Sequence, residues 1–190
     1  AGSSDQMTRH VVLGLRVPRI LASVIVGGAL SMSRGALHGI FKNPLVSPDF
    51  LGVSSGACIG AAVAILLSLS SEGISVFAFV FGVAAVLITA AIPAVMGNRS
   101  NVMLVLSGII VGTALSSTLG FIKYIADPNT QLASITYWTM GSFSYITLAD
   151  LFAVLPVILL PAVVLILMAW WIDVLSMGED EARALGARVG

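Results

Sequence analysis

The chain has 190 residues, of which 58% are hydrophobic and 9% are charged, and its mean hydropathy is +1.05. A soluble domain of this size cannot bury so much apolar surface, so the composition excludes an ordinary soluble fold. Nine basic residues balance nine acidic ones, and no basic excess indicates a nucleic-acid partner. A single cysteine, Cys58, excludes an intramolecular disulfide framework and a cysteine-cluster metal site.

Apolar windows long enough to cross a membrane recur along the chain. A helix needs roughly 20 residues for this, because it rises about 1.5 Å per residue and the hydrocarbon core is about 30 Å thick. We predict spans over residues 20–41, 51–69, 74–96, 102–125 and 148–172, with a tight turn at Glu72 and Gly73. All five are rich in glycine, alanine and serine, which let membrane helices approach closely. The sequence therefore predicts an all-α, polytopic transmembrane bundle that forms one membrane-embedded domain over residues 1–190.

A proline-containing loop, KNPLVSPDFLGVSSGA, separates the first two windows. Pro44 and Pro48 lack a backbone donor and disfavour helix in the preceding residue, so the first helix should end near Lys42. Asn43 and Asp49 favour turns because their side chains bond the nearby backbone. The next helix then begins on small residues, which we expect to pack closely on a neighbour: Gly52, Ser54, Ser55, Gly56 and Ala57. From the residues alone, this is a re-entry loop between two spans.

The basic residues weakly favour a cytoplasmic location for this loop. Under that orientation five cations lie on the cytoplasmic side, namely Arg34, Lys42, Arg99, Arg183 and Arg188. Four lie on the other side, namely Arg9, Arg16, Arg19 and Lys123. The excess agrees with the positive-inside rule.

Two polar residues lie inside the first predicted span. A charge such as Arg34 costs about 2.5–3.5 kcal/mol there on insertion scales, so it either extends to the interface or lines a transport pathway. His38 is four residues further on and therefore lies on the same helix face. It is either an interfacial hydrogen-bonding residue or a haem ligand.

A short capped helix is predicted after the last span, over residues 176–186. Ser176 is a candidate N-cap and Glu179 completes a capping box. Ala182 and Leu185 supply an apolar stripe, and Gly186 suits the C-cap position. Such a helix is too small to bury its own apolar face, so it is either a simple surface helix or a docking element for a partner.

Several motifs occur in one order along the chain: Arg16-Val-Pro-Arg19, Asn43-Pro-Leu-Val-Ser-Pro48, Leu51-Gly-Val-Ser-Ser-Gly-Ala57, Trp138-Thr-Met-Gly-Ser142 and Leu175-Ser-Met-Gly-Glu-Asp-Glu-Ala-Arg-Ala-Leu-Gly186. This series resembles the permease subunits of ABC importers for iron-siderophores, haem and cobalamin, the FecCD-like type II importers. That family commonly has glycine at the position of Arg34 and glutamine at that of His38, and the chain departs from it there.

The resemblance implies a ten-span subunit that pairs with a second, identical or different, permease subunit around a central pathway. A cytoplasmic ABC ATPase dimer would lie below and an extracytoplasmic substrate-binding protein above. The chain would then be a fragment that lacks the first span and the last four. The partners we expect are therefore a second permease subunit, the ATPase dimer, the substrate-binding protein and membrane lipid.

The resemblance also assigns roles to residues. It implies that Arg16 and Arg19 pair with glutamates of the binding protein, although simple interfacial anchoring is the alternative. It implies coupling to the ATPase by Ser176, Gly178, Glu179, Ala182, Leu185 and Gly186. The residues expected to line the pathway or pack helices are Arg34, His38, Asn43, Pro44, Gly52, Ser54, Ser55 and Gly56.

Enzyme functions are not indicated, because the sequence contains no HExxH or Walker glycine-loop motif. We therefore expect a transport subunit of the cell membrane without a cofactor, whose ATP is hydrolysed by another chain. The expected cargo is an iron-siderophore or related metal chelate such as haem or cobalamin. A self-sufficient secondary transporter or channel, and a packing subunit that conducts nothing, are the alternatives.

Overall fold

The computed structural model describes residues 10–41, 47–97, 100–144 and 146–177, and these ranges contain helices and turns but no strand. The α-helices are α1 (Val17–Phe41), α2 (Val53–Leu66), α3 (Ser71–Val95), α4 (Asn101–Ile125), α5 (Gln131–Met140) and α6 (Leu148–Met177). A π-helical segment, His10–Arg16, precedes α1, and a 3-10 turn, Pro48–Leu51, precedes α2. The predicted all-α fold is confirmed.

Among the described residues, four helical segments are long and apolar enough to cross a membrane: Val11–Phe41, Ser71–Val95, Asn101–Ile125 and Leu148–Val174. The span predicted over residues 51–69 is wrong in length, because α2 has only 14 residues. At about 1.5 Å per residue it covers roughly 21 Å, less than a hydrocarbon core of about 30 Å. The 3-10 turn occupies the start of the predicted window and a turn after Leu66 occupies its end, so neither part is α-helical.

Three further boundaries differ from the prediction. The turn expected at Glu72 and Gly73 lies earlier, because Ser70 is the N-cap of α3 and its hydroxyl accepts from the Gly73 amide at 3.4 Å. Glu72 is instead in the first helical turn, where the helix dipole favours an acidic side chain. Helix α1 begins before residue 20, and α6 continues past residue 172. Helix α5 was not predicted.

The chain forms two compact units. The α1–α6 unit contains residues 1–45 and 142–190, and the α2–α5 unit contains residues 46–141. In the first unit, Arg19 of α1 lies beside Ser144, just before α6, while Gly39 near the end of α1 contacts Ile172 near the end of α6. The two helices are therefore parallel, and their carboxyl ends lie at the same end of this unit.

Helix α2 is the centre of the second unit, where it packs against α3, α4 and α5. Ala61, Ala62 and Ala64 are each at most 1% exposed. A core cluster joins α2 to the end of α4 and to α5 and consists of Ile59, Ala62, Ile122, Ala126 and Ile135. Because lipid does not drive apolar surfaces together, close packing of small side chains is what holds such a bundle.

Helix α2 crosses α3 closely at Gly56 and at Gly60. A Cβ atom added at Gly56 would lie 2.6 Å from the Ala85 Cβ and 2.7 Å from the Phe81 carbonyl oxygen. Even a methyl group therefore has no room. Pro44 lies outside the described residues.

The turn between α4 and α5 is held by its own side chains. The Asp127 carboxylate accepts from the Asn129 amide at 3.1 Å and from the Thr130 hydroxyl at 2.8 Å. These two hydrogen bonds lower the pKa of Asp127 below its usual value. Gln131 accepts from the Asp127 amide and donates to the Leu66 carbonyl at 3.4 Å, which ties the turn to the end of α2.

Replacing Gly56 by alanine should lower the free energy of unfolding by about 1–3 kcal/mol, the usual cost of overpacking. Denaturant unfolding of the detergent-solubilised chain measures this change. Gly120→Ala is the matched control, because a Cβ at Gly120 meets no atom within 4 Å. It should be neutral or slightly stabilising, since alanine favours helix. Equal stability of the two variants would contradict the proposed crossing.

Candidate functional site

The amino end of the α1–α6 unit contains the predicted docking arginines. Arg19 is exposed, and its Nη2 atom donates to the Ser144 carbonyl oxygen. Arg16 is the last residue of the π-helical segment and is also exposed, and the described residues give it no hydrogen bond or ion pair. The two arginines therefore differ. Arg19 ties α1 to the segment that leads into α6, whereas the guanidinium of Arg16 is available to a partner.

A capping box fixes the start of α6 just beyond this contact. The amide and the hydroxyl of Thr147 donate to the Asp150 carboxylate at 2.9 and 2.7 Å, and the Asp150 amide donates back to the Thr147 hydroxyl at 3.2 Å. Ser142 and Ser144 are linked through their hydroxyls at 2.8 Å. The short segment before α6 is thus ordered by local hydrogen bonds, and Arg19 attaches it to α1.

An open apolar groove runs between α1 and α6. One part has a volume of about 360 Å³ and a neighbouring part about 330 Å³, and Met32 and Leu165 line both. Apart from Ser33 and Asp173, the lining side chains are apolar or small. The groove contains no arrangement of polar groups that would bind a charged solute.

The two polar residues predicted within the first span lie in the last three turns of α1. Arg34 is exposed, and the described residues provide it with no hydrogen bond or ion pair. His38 is half-buried, and its Nε2 atom is buried without a hydrogen-bond partner. Neither residue lies within a group of three or more potential metal ligands in the described part of the chain.

The loop before α2 is rigid where the structure describes it. Gly52 has a φ of 77°, a left-handed conformation that favours glycine, and it is buried against Gly112 of α4. The Thr89 hydroxyl of α3 donates to the Leu51 carbonyl at 3.0 Å, and the Ser54 hydroxyl donates to the Asp49 carboxylate at 2.6 Å. Of the predicted residues, Gly52 and Gly56 are buried at this junction, Ser55 is half-buried and Ser54 is exposed. Asn43 and Pro44 lie outside the described residues.

A stripe of small and hydroxyl side chains on α4 was missed by the sequence-based prediction. Its members are Thr113, Ser116, Ser117 and Gly120, all exposed and on the side of α4 away from the buried Val111 and Ile122. Ser55 of α2 reaches the edge of this stripe, with 3.2 Å between its hydroxyl and that of Ser116. The spacing of three and four residues in a helix could have revealed the stripe.

The predicted coupling helix is described only at its start. Ser176 lies within α6, and its hydroxyl donates back to the Asp173 carbonyl at 2.7 Å. The prediction that Ser176 is an N-cap is therefore wrong, because an N-cap residue has non-helical backbone angles. Gly178, Glu179, Ala182, Leu185 and Gly186 lie outside the described residues.

A family model described as the FecCD transport family matches residues 1–190. The chain belongs to the FecCD transport family. The resemblance inferred from the motifs is thereby confirmed. Four apolar helices of membrane-spanning length lie in the part of the chain that the structure describes, and this member of the FecCD family is a multi-pass protein of the cell membrane.

Named relatives agree on the type of protein and differ in cargo. The chain is 34% identical over 185 residues to the molybdate import system permease protein MolB of Haemophilus influenzae, covering 97% of this chain and 55% of MolB. It is 31% identical over 195 residues to the hemin transport system permease protein HmuU of Yersinia pestis, covering 98% of this chain and 57% of HmuU. The chain thus spans about half the length of these relatives.

A solved structure has the same fold. It is an inward-facing conformation of an ABC transporter assigned to the metal-chelate type. The match has a TM-score of 0.84 at 34% identity and covers 96% of this chain and 58% of the other. The helical arrangement described above is therefore the FecCD permease fold over this part of the protein.

Removing the Arg19 side chain should loosen the segment before α6. A hydrogen bond contributes about 0.5–1.5 kcal/mol, so Arg19→Ala should raise amide hydrogen exchange over residues 142–147 by about two- to tenfold. Mass spectrometry of the exchanged chain in detergent measures this effect. Arg16→Ala is the matched control and should leave the exchange unchanged. Equal exchange in wild type and Arg19→Ala would show that the contact does not order the segment.

Proposed function

We propose that the chain is the membrane permease part of an ABC importer that carries an iron-siderophore or a related metal chelate such as haem or cobalamin. The observation that supports this most strongly is the family match over residues 1–190, together with a TM-score of 0.84 to an ABC transporter assigned to the metal-chelate type. In this proposal the chain is not an enzyme, and a separate cytoplasmic ATPase dimer hydrolyses the ATP.

The parallel pairing of α1 and α6 supports the proposed orientation. It brings Phe41 and Met177 to the same end of the α1–α6 unit. The loop after α1 and the segment after α6 were each predicted to be cytoplasmic on separate grounds, and a parallel pair satisfies both predictions. Residues 176–186 would then contact the ATPase, with Gly178 and Ala182 as small contact residues.

The exposed stripe of α4 is the proposed pathway surface of this chain. Thr113, Ser117 and Gly120 present hydroxyl groups and backbone on the exposed side of this helix. The Thr113 and Ser117 hydroxyls donate to carbonyl oxygens four residues earlier, which leaves their oxygens as acceptors for a polar solute or water. A second permease subunit would close the other side of the pathway.

An uptake assay with the complete transporter in vesicles tests this function. The probes are a ferric siderophore, haem, cobalamin and molybdate, each labelled. One of the three chelates should accumulate when ATP is supplied, and a catalytically inactive ATPase should abolish accumulation. Uptake that persists with the inactive ATPase would favour a secondary transporter or channel, and uptake of molybdate alone would contradict the chelate proposal. Gly178→Trp should leave ATP hydrolysis intact but reduce uptake.

The free guanidinium of Arg16 is the proposed docking group for a substrate-binding protein. Reversing its charge with Arg16→Glu should weaken capture of that protein by about tenfold at low salt, because charges are less screened there. Surface binding of the labelled binding protein at several salt concentrations measures this effect. The neutral variant Arg16→Gln should show a smaller loss. Binding that is insensitive to both variants and to salt would make Arg16 an interfacial anchor.

A further inference from the structure

One edge of α4 packs against α2 and leads to a cation near the end of α4. A Cβ atom added at Gly112 would lie 3.8 Å from the Gly52 Cα atom. The Ser116 hydroxyl lies 3.2 Å from that of Ser55. Lys123 follows Ser116 by about two turns, and at about 100° per residue it is turned only about 20° around the helix. Lys123 therefore lies on the same edge of α4, which we call the α2–α4 seam.

The side chain of Lys123 is directed into this seam. Helical side chains lean toward the amino end of their helix. For Lys123, in the last turn of α4, this direction leads back along the span. The side chain is half-buried, and its charge acts on the half-buried thiol of Cys58 in α2. A lysine that only anchors a span at the interface extends toward water instead.

The described residues provide Lys123 with no hydrogen bond or ion pair. Asp127 is one turn further along the chain, but its carboxylate accepts from the Asn129 amide and the Thr130 hydroxyl. A partly desolvated ammonium gains more from a charged acceptor than from a neutral one. Lys123 is therefore a cation that an anion from outside the described residues can neutralise.

This cation borders the proposed pathway surface. Gly120 of the exposed α4 stripe is one turn before Lys123, and Ser116 joins that stripe to the seam. The carboxyl end of α4 is the end that the sequence places outside the cytoplasm. Cargo that moves along the stripe from that end meets the ammonium of Lys123 before it meets the hydroxyl groups.

We propose that Lys123 makes the pathway selective for a metal chelate of net negative charge, whose carboxylate or catecholate oxygens bind its ammonium in the α2–α4 seam. This inference rests on the proposed pathway surface and adds the charge of the cargo to it. Neutral chelates, such as tris-hydroxamate siderophores and cobalamin, gain nothing from this contact.

Cys58, the one cysteine of the chain, reports the charge in the seam. Two methanethiosulfonate reagents of similar size, one with a sulfonate and one with a trimethylammonium group, modify it in the detergent-solubilised chain. The ratio of their rate constants, anionic over cationic, should be about tenfold higher in the wild type than in Lys123→Gln. Because both reagents attack the same thiolate, the ratio is independent of how much thiolate is present.

Two further variants separate charge from side-chain shape. Lys123→Arg should keep the wild-type ratio, and Lys42→Gln, which removes the same charge from the loop after α1, should leave it unchanged. Equal ratios in the wild type and Lys123→Gln would overturn the proposal. If neither reagent modifies Cys58 until the chain is denatured, the seam does not admit a dissolved solute and the proposal fails as well.

Uptake by the complete transporter in vesicles tests the effect on cargo. The probes are two labelled ferric siderophores, an anionic tris-catecholate and a neutral tris-hydroxamate. At low concentration, Lys123→Gln should reduce initial uptake of the anionic complex by about tenfold and leave that of the neutral complex unchanged. Lys123→Arg should retain uptake of both.

The outcomes distinguish this inference from the proposed function. Wild-type uptake of the neutral complex alone, or an equal effect of Lys123→Gln on both complexes, would overturn the role of Lys123 and leave the importer function intact. No ATP-driven uptake of any chelate would contradict the proposed function instead, and the rate ratio at Cys58 would still decide whether Lys123 attracts anions.

Discussion

The close crossing of α2 with its neighbours is the contact on which the α2–α5 unit depends. In lipid every backbone group must be satisfied within the protein, and apolar surfaces gain nothing by leaving a solvent that is equally apolar. Gly56 lets α2 approach the Ala85 methyl and the Phe81 carbonyl, which a larger residue would not allow. The Thr89 hydroxyl, which is completely buried, supplies the polar contact at the same junction.

The helix that results from this packing is short. Helix α2 is almost wholly apolar, yet its 14 residues begin after a 3-10 turn and end at a tight turn. The adjacent α5 packs Ile135 into the same cluster and is anchored by Gln131. A short helix packed against longer ones such as α3 and α4 is acceptable in a membrane where its ends are covered by protein that can bond the free backbone groups.

The arginines of the helical segment Val11–Phe41 lie in different environments. Arg19 near the amino end donates to the Ser144 carbonyl, whereas the described residues give Arg16 no partner at the same end. Arg34 lies deeper, where an unpaired charge is costly. Arg19 therefore contacts its own polypeptide, Arg16 is the proposed contact for a docked protein, and Arg34 lies within the span.

The sequence by itself determined the fold class, the approximate positions of most spans and the family. Hydropathy and the ordered motifs are local properties, and the family model confirms what they indicate. Only the tertiary structure decided the length of α2, the presence of α5 and the difference between Arg16 and Arg19. An apolar run shows that a segment avoids water, but packed helices and membrane spans avoid it equally, so hydropathy does not reveal where a helix stops. Ser176 is a second case in which a local pattern does not show where a helix stops. A serine followed by glutamate favours an N-cap, but helix α6 continues through Ser176, which lies in its last turn.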